Sequence, residues 1–175
     1  MIMMSDQGWG QTSSGGNISL VLLEVEQPVV TNAECEKSHE TIFDQFNTND
    51  SYTYMNTTSE GKICAGGVAG KGICQVNKLL KGFLIKLLTT KRQGDSGGPL
   101  TYKSGTQHIL IGESVAVLNV SGFPACGGLV QTEDGELREL DGIYNVYGRV
   151  SHYRKWIEEN MNSPTFCGSG PDADE

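Results

Sequence analysis

The sequence predicts an all-β domain finished by one terminal helix. Three observations point there. The chain of 175 residues carries 23 glycines and only 7% aromatics, the composition of many turns and short strands. Several runs concentrate or alternate apolar residues over strand-like lengths. A single amphipathic segment sits near the C-terminus. The length suffices for one domain with its own core.

Taken in order, Ser19–Val30 (SLVLLEVEQPVV) alternates apolar and polar residues towards its end and stops at turn-prone Thr31-Asn32, so a strand is expected. Glu34–Thr48 reads as a short helix running into a loop, and Asn47–Glu60, rich in Asn, Thr and Ser, as an exposed excursion. Lys62–Ala65 is a short strand ending in the glycines of AGGVAG. His108–Val117 (HILIGESVAV) reads as a buried strand, Val130–Asp141 as an acidic surface loop, and Ile143–Val150 as a strand again. Ser151 is expected to cap a helix through Met161 that sets Tyr153, Trp156, Ile157 and Met161 on one face. The tail 162–175, ending SGPDADE, is too polar to fold. No apolar run reaches the roughly 18 residues of a membrane span, and there are no internal repeats.

The net charge of −8 excludes nucleic acid as a partner, because phosphate binding needs a basic surface. The charge is uneven. Segment 76–93 holds Lys78, Lys81, Lys86, Lys91 and Arg92 and no acid, so it is electrostatically foreign to its host. Five cysteines (Cys35, Cys64, Cys74, Cys126, Cys167) suit an oxidising compartment, with one thiol left over. Glycosylation triplets occur at Asn17, Asn56 and Asn119, yet MIMMSDQGWG lacks the pattern of a secretory leader. Secretory content without a secretory start leads us to expect a missing N-terminal part. No cofactor and no metal is expected.

The chemistry concentrates in Gly94-Asp95-Ser96-Gly97-Gly98-Pro99-Leu100. A serine hydroxyl attacks only when a neighbouring imidazole takes its proton. A glycine two residues earlier lets its own N–H and that of the serine converge where an oxyanion develops, and losing such a donor costs on the order of 3 kcal/mol. The glycines after the serine permit close approach of substrate and neighbouring strands.

The motif has company in a fixed order: Gly8-Trp9-Gly10, PVVTNAEC ending at Cys35, Ile63-Cys64-Ala65-Gly66, GESVAV, and Val146-Tyr147-Gly148-Arg149-Val150 followed by Trp156-Ile157. This series resembles the second half of the chymotrypsin/trypsin family of serine endopeptidases, from Gly8 to about Met161. The resemblance implies a six-stranded antiparallel β-barrel with a C-terminal helix, a partial peptidase domain over 1–161, and the first barrel missing. It implies Ser96 as nucleophile, the backbone N–H groups of Gly94 and Ser96 as oxyanion hole, and Asp95 as the carboxylate that receives a new amino terminus on activation. It also implies disulfides Cys35–Cys64 and Cys74–Cys126. Tyr102 stands where the family has another cysteine, and Cys167 has no assigned partner.

The same resemblance places Gly72, Gln75, Val115, Ala116 and Val117 at the specificity pocket. With segment 76–93 set aside, Gly72 falls six residues before Ser96, where trypsin-like members carry an aspartate. A glycine there leaves an uncharged base, as in chymotrypsin-, elastase- or crustacean-collagenase-like members. Val117 should narrow the pocket mouth, and Asp134 or Asp141 could reach it from the loop after Cys126. Protein or peptide substrates and protease inhibitors are the implied partners, with an extracellular setting.

The resemblance also implies what is lacking. The triad histidine and aspartate precede Gly-Trp-Gly in the family, and here little chain precedes Gly10. His39, His108 and His152 read as exposed or core-edge histidines. The chain as written is therefore expected to be inactive, with Asp95 unpartnered. Segment 76–93 itself has two readings. Leu79, Leu80, Phe83, Leu84, Leu87 and Leu88 with the lysines fit a basic amphipathic helix for a membrane or an acidic groove. Alternatively it is translated non-coding sequence, since its removal restores CQGDSGGPL in frame. A non-catalytic binding module is the remaining alternative, and the intact GDSGGPL argues against it.

Overall fold

The computed structural model describes residues 2–10, 17–45, 59–68, 71–72, 74–75, 95–117, 125–126, 129–131, 137–139 and 142–162. Its strands are Met3–Gly8 (β1), Leu23–Val30 (β2), Lys62–Gly66 (β3), Cys74–Gln75 (β4), Pro99–Ser104 (β5), Gln107–Val117 (β6), Ala125–Cys126 (β7), Leu129–Gln131 (β8), Leu137–Glu139 (β9) and Tyr144–Arg149 (β10). Two helices, Asn32–Gln45 (α1) and Arg154–Asn160 (α2), accompany them. Six strands close into an antiparallel barrel in the order β1-β2-β3-β10-β6-β5, with β5 returning to β1 through Ser5↔Thr101 and Asp6↔Leu100. This is the barrel with a terminal helix that the sequence predicts. A second, four-stranded sheet runs β4-β7-β8-β9.

The barrel is filled by Met4, Ile63, Ala65, Leu100 and Tyr147, with Val29 and Ile111 packed against them. Burying one such large side chain stabilises the fold by about 1.5–3 kcal/mol. Leu100 is fully buried at the centre, so Leu100→Ala would cost about 2–5 kcal/mol. Beside this core, Cys35 and Cys64 form the expected disulfide, with Cα atoms 6.2 Å apart and Val146 packed alongside. It ties α1 to β3.

Several elements differ from the sequence reading. The β1 segment MMSDQG has no clean alternation, because its middle faces Met4, Ser5 and Asp6 are all buried. The β5 segment PLTYKS was hidden behind the motif. Helix α1 begins at Asn32, ahead of Glu34, because Thr31 and Glu34 form a reciprocal cap. The Glu34 N–H donates to Thr31 Oγ1 (3.2 Å), and the Thr31 N–H donates to Glu34 Oε2 (3.0 Å). The acidic stretch 130–141 is not wholly a loop, since Leu129–Gln131 pairs with Leu137–Glu139 as a hairpin. Ser151 does not cap the last helix. It lies in a 3-10 turn over Val150–Tyr153, and α2 starts at Arg154 without a side-chain cap. Tyr153, Trp156 and Met161 are exposed, and β6 is less buried than its apolar run suggested, with Leu110 and Val115 both exposed. No helix among the described residues is long and apolar enough to cross a membrane.

Candidate active site

The turn that carries Ser96 is built from glycine geometry. The Gly98 N–H donates to the Asp95 carbonyl (2.9 Å), and Gly97 adopts φ of 80°, a left-handed conformation at the third position of the turn. That combination is the signature of a type II turn, with exposed Ser96 at its second position. The turn is laced to β6 by two backbone bonds. Gly97 N–H donates to Ser114 O (3.1 Å), and Ser114 N–H donates to Gly98 O (2.9 Å). At Gly98 a Cβ would lie 2.8 Å from the Asp95 carbonyl oxygen and 3.1 Å from that of Gln7, so only glycine lets the turn press against β1.

Asp95 anchors the other side. Its Oδ1 accepts the Gly10 N–H at 2.7 Å, and its carboxylate fills the space where Gly8 and Gly10 have no side chain. Gly10, two residues beyond β1, is thus a neutral backbone donor to the Asp95 carboxylate, a contact distinct from the activation amine that the resemblance implies for it. Sequence reasoning saw Gly-Trp-Gly as a landmark and missed its use.

The other expected residues distribute as follows. In β6, Ser114 pairs with Tyr147 and Ala116 with Val146, leaving Val115 as a bulged extra residue. Bulges recur beside active sites, where they redirect side chains. Strand β5 pairs with β6 only as far as Glu113, opposite Pro99. The turn itself takes that side of Ser114, and from Val115 to Val117 β10 lies on one side while no described strand lies on the other. Gly72 has φ of 135°, and Gln75 pairs with Ala125 across β4 and β7. The adjacent pair in that ladder sets Cys74 opposite Cys126. Gly94, segment 76–93, Asp134, Asp141 and Cys167 lie outside the described residues. Ser114, buried and holding the turn through its backbone, went unnoticed. Its one signal was a small polar residue, next to Glu113, interrupting the apolar run of β6.

None of the three histidines is at Ser96. His39 is buried on α1, where Nε2 faces the Tyr144 carbonyl oxygen at 3.2 Å and Cys35 Sγ at 4.0 Å, and burial pushes its pKa down to about 4. His108 lies six residues along β6 from Ser114, about 20 Å away at strand rise. His152 packs on Gly61 at the start of β3, on the far side of β10 from the turn.

Behind the turn runs a buried polar chain. Tyr147 OH donates to Asp6 Oδ2 (2.9 Å), Gln27 Nε2 donates to the same oxygen (3.2 Å), and Asn145 Nδ2 donates to Gln27 Oε1 (2.9 Å). Asp6 Oδ1 and Ser114 Oγ are buried without a hydrogen-bond partner. Burial raises the Asp6 carboxyl to about 6, with the Asp95 charge adding to the rise and the Tyr147 and Gln27 bonds opposing it. Tyr147 is held well above its usual range, first by burial and then by Asp6.

A closed six-stranded barrel with GDSGGPL leading into one strand is consistent with the second half of the chymotrypsin fold, and comparison with known proteins agrees: over most of its length the chain is similar to curated serine proteases of the trypsin type. It is 30% identical over 154 residues to trypsin zeta of Drosophila melanogaster, covering 86% of this chain and 37% of that protein. It is 32% identical over 157 residues to the clotting factor G beta subunit of Tachypleus tridentatus (87% of this chain, 36% of that protein). Against trypsin-1 of Astacus astacus it is 30% identical over 154 residues (87% and 44%). The chain thus spans well under half the length of these relatives. No protein-family model matches it.

Proposed function

We propose that the chain supplies the nucleophile half of a secreted serine endopeptidase. Ser96 Oγ attacks the scissile carbonyl, and its proton passes to a histidine that these residues do not provide. The oxyanion is held by the N–H groups of Gly94 and Ser96, and water then hydrolyses the acyl-enzyme. The observation that carries this reading is the Ser96 turn: an exposed serine pinned by Asp95 to Gly10 and by Gly97 and Gly98 to Ser114. Beside it, past Ser114, whose N–H and C=O the turn already takes, the side of Val115–Val117 away from β10 suits an extended peptide that would add as a strand. Peptide substrates and protease inhibitors are the partners of that edge. Gly72 gives the pocket an uncharged base, favouring chymotrypsin-, elastase- or collagenase-like cleavage over cleavage after Lys or Arg. A Cys74–Cys126 bridge is supported by their opposed positions in β4 and β7, since directly opposite residues lie about 4.5–5.5 Å apart, within disulfide reach.

Alone, these 175 residues do not turn over, because a serine without its base is inert. The test is covalent labelling with a fluorophosphonate probe. The chain by itself should remain unlabelled. Mixed or fused with the first half of a relative such as trypsin-1, it should be labelled at Ser96, and Ser96→Ala should abolish labelling. Labelling at another residue, or none in the complemented form with segment 76–93 removed, would overturn the reading.

A further inference from the structure

We propose that Asp6 is a positioning residue for the Ser96 turn, acting through the carboxylate of Asp95. This rests on the reading of Ser96 as nucleophile. The geometry is a short relay along β1. Asp6 points into the barrel and is only 6% exposed, Gly8 follows, and Gly10 holds Asp95 at 2.7 Å. The Asp95 carboxylate occupies the side-chain space of Gly8, which lies two residues from Asp6 and so on the same face of β1. Asp6 also pairs with Leu100, two residues past Gly98 in the strand that leaves the turn.

The two oxygens of Asp6 are unequal. Oδ2 accepts both donors, from Tyr147 and Gln27, while Oδ1 is buried with no partner. A proton therefore sits on Oδ1 without breaking either bond. When that proton leaves to solvent, a buried negative charge appears facing Asp95. The groups acting on Asp6 are Tyr147 from β10, Gln27 from β2, the Gln7 backbone and Asp95 from the turn, and no cation is among them. Of these, Asp95 is the one whose carboxylate can respond, and it shares its main chain with the turn through the Gly98 bond. Ionisation of Asp6 thus shifts Asp95 against Gly10 and, with it, the peptide that precedes Ser96. The burial-raised acidity of Asp6, about 6, puts the change in a mildly acidic range.

The experiment is a pH titration of the full chain by amide and carboxyl NMR. In the natural sequence the Gly10 and Gly97 amide shifts should follow one transition with a midpoint of about 6. In Asp6→Asn that transition should vanish from both amides. In Asp95→Asn, with Asp6 intact, the midpoint of the Asp6 carboxyl should fall by on the order of half a pH unit, because a neighbouring negative charge has gone. Coupling of this kind is reciprocal, so the two variants test it from opposite ends. Persistence of the Gly10 and Gly97 transition in Asp6→Asn, or an unchanged Asp6 midpoint in Asp95→Asn, overturns the proposal. The second arm decides alone if Asp6→Asn does not fold. Failure of Ser96 labelling with the titrations as expected would remove the nucleophile reading and leave the coupling, so the two failures are distinguishable.

Discussion

The Asp95 carboxylate accepts the backbone N–H of Gly10 at 2.7 Å, across 85 residues of sequence. One bond thereby joins the end of the first strand to the residue before the nucleophile, and both neighbours must be glycine for it to form.

Replacing Gly98 by alanine should damage the turn most. The added methyl meets main-chain oxygens of Asp95 and Gln7, which cannot swing aside as a side chain would. A loss of about 1–3 kcal/mol is expected, read as a lower urea midpoint at unchanged slope. Gly10→Ala meets the Asp95 side chain, which can move. It should cost less, about 0.5–1.5 kcal/mol, because the displaced Asp95 carboxylate exchanges the Gly10 N–H for water.

Asp6 and His39 give stability opposite slopes with pH. The folded Asp6 keeps its proton to about 6, whereas the unfolded carboxyl loses it near 3.8, so stability falls as pH rises between those values. The folded His39 stays neutral down to about 4, whereas the unfolded imidazole charges below 6.5, so stability falls as pH drops through that window. Each amounts to about 3 kcal/mol, and they nearly cancel. Asp6→Asn removes one slope, so its stability should climb more steeply from pH 4 to 7 than that of the natural chain. Urea unfolding at four pH values separates the outcomes; superimposed profiles would count against both assignments.

Removing the Cys35–Cys64 bridge should be costly. The bridged residues are 29 apart in sequence. The loop-entropy estimate is roughly 3–4 kcal/mol, or a fall in Tm of about 10 °C for a chain this size. Thermal unfolding of Cys35→Ala/Cys64→Ala measures it.

Deleting 76–93 should leave the barrel cooperative, because the six described barrel strands pair with one another through residues outside that segment. Shortening the connection between β4 and β5 should add about 1 kcal/mol by lowering the entropy of loop closure. Circular dichroism melts of the two forms test this, and a lower Tm in the deleted form would show that the segment supports the fold.

How much of this was legible depended on how local each signal was. Strands β2, β6 and β10 announced themselves by apolar runs, and GDSGGPL by its string of glycines. Strand β1 did not, since Ser5 is buried on one face and polar Asp6 points inward on the other, where Tyr147, 141 residues from Asp6 in sequence, supplies the compensation. His39 looked peripheral because its burial depends on Tyr144 and Cys35 meeting across α1 and β10. The helix end at Arg154 was misplaced because a 3-10 turn, which hydroxyl capping rules do not anticipate, precedes it. The landmarks were local; the polar network and the Asp95 anchor are long-range.

Strand β10 lies between β3 and β6 although it is the last of the six in the chain. During synthesis the sheet must therefore remain split along that seam until residues 144–149 have emerged, with the backbones of β3 and β6 both unsatisfied meanwhile. Such distant pairings fold slowly. The barrel is completed by insertion of its final strand, and the nascent chain is most exposed to mispairing just before that moment.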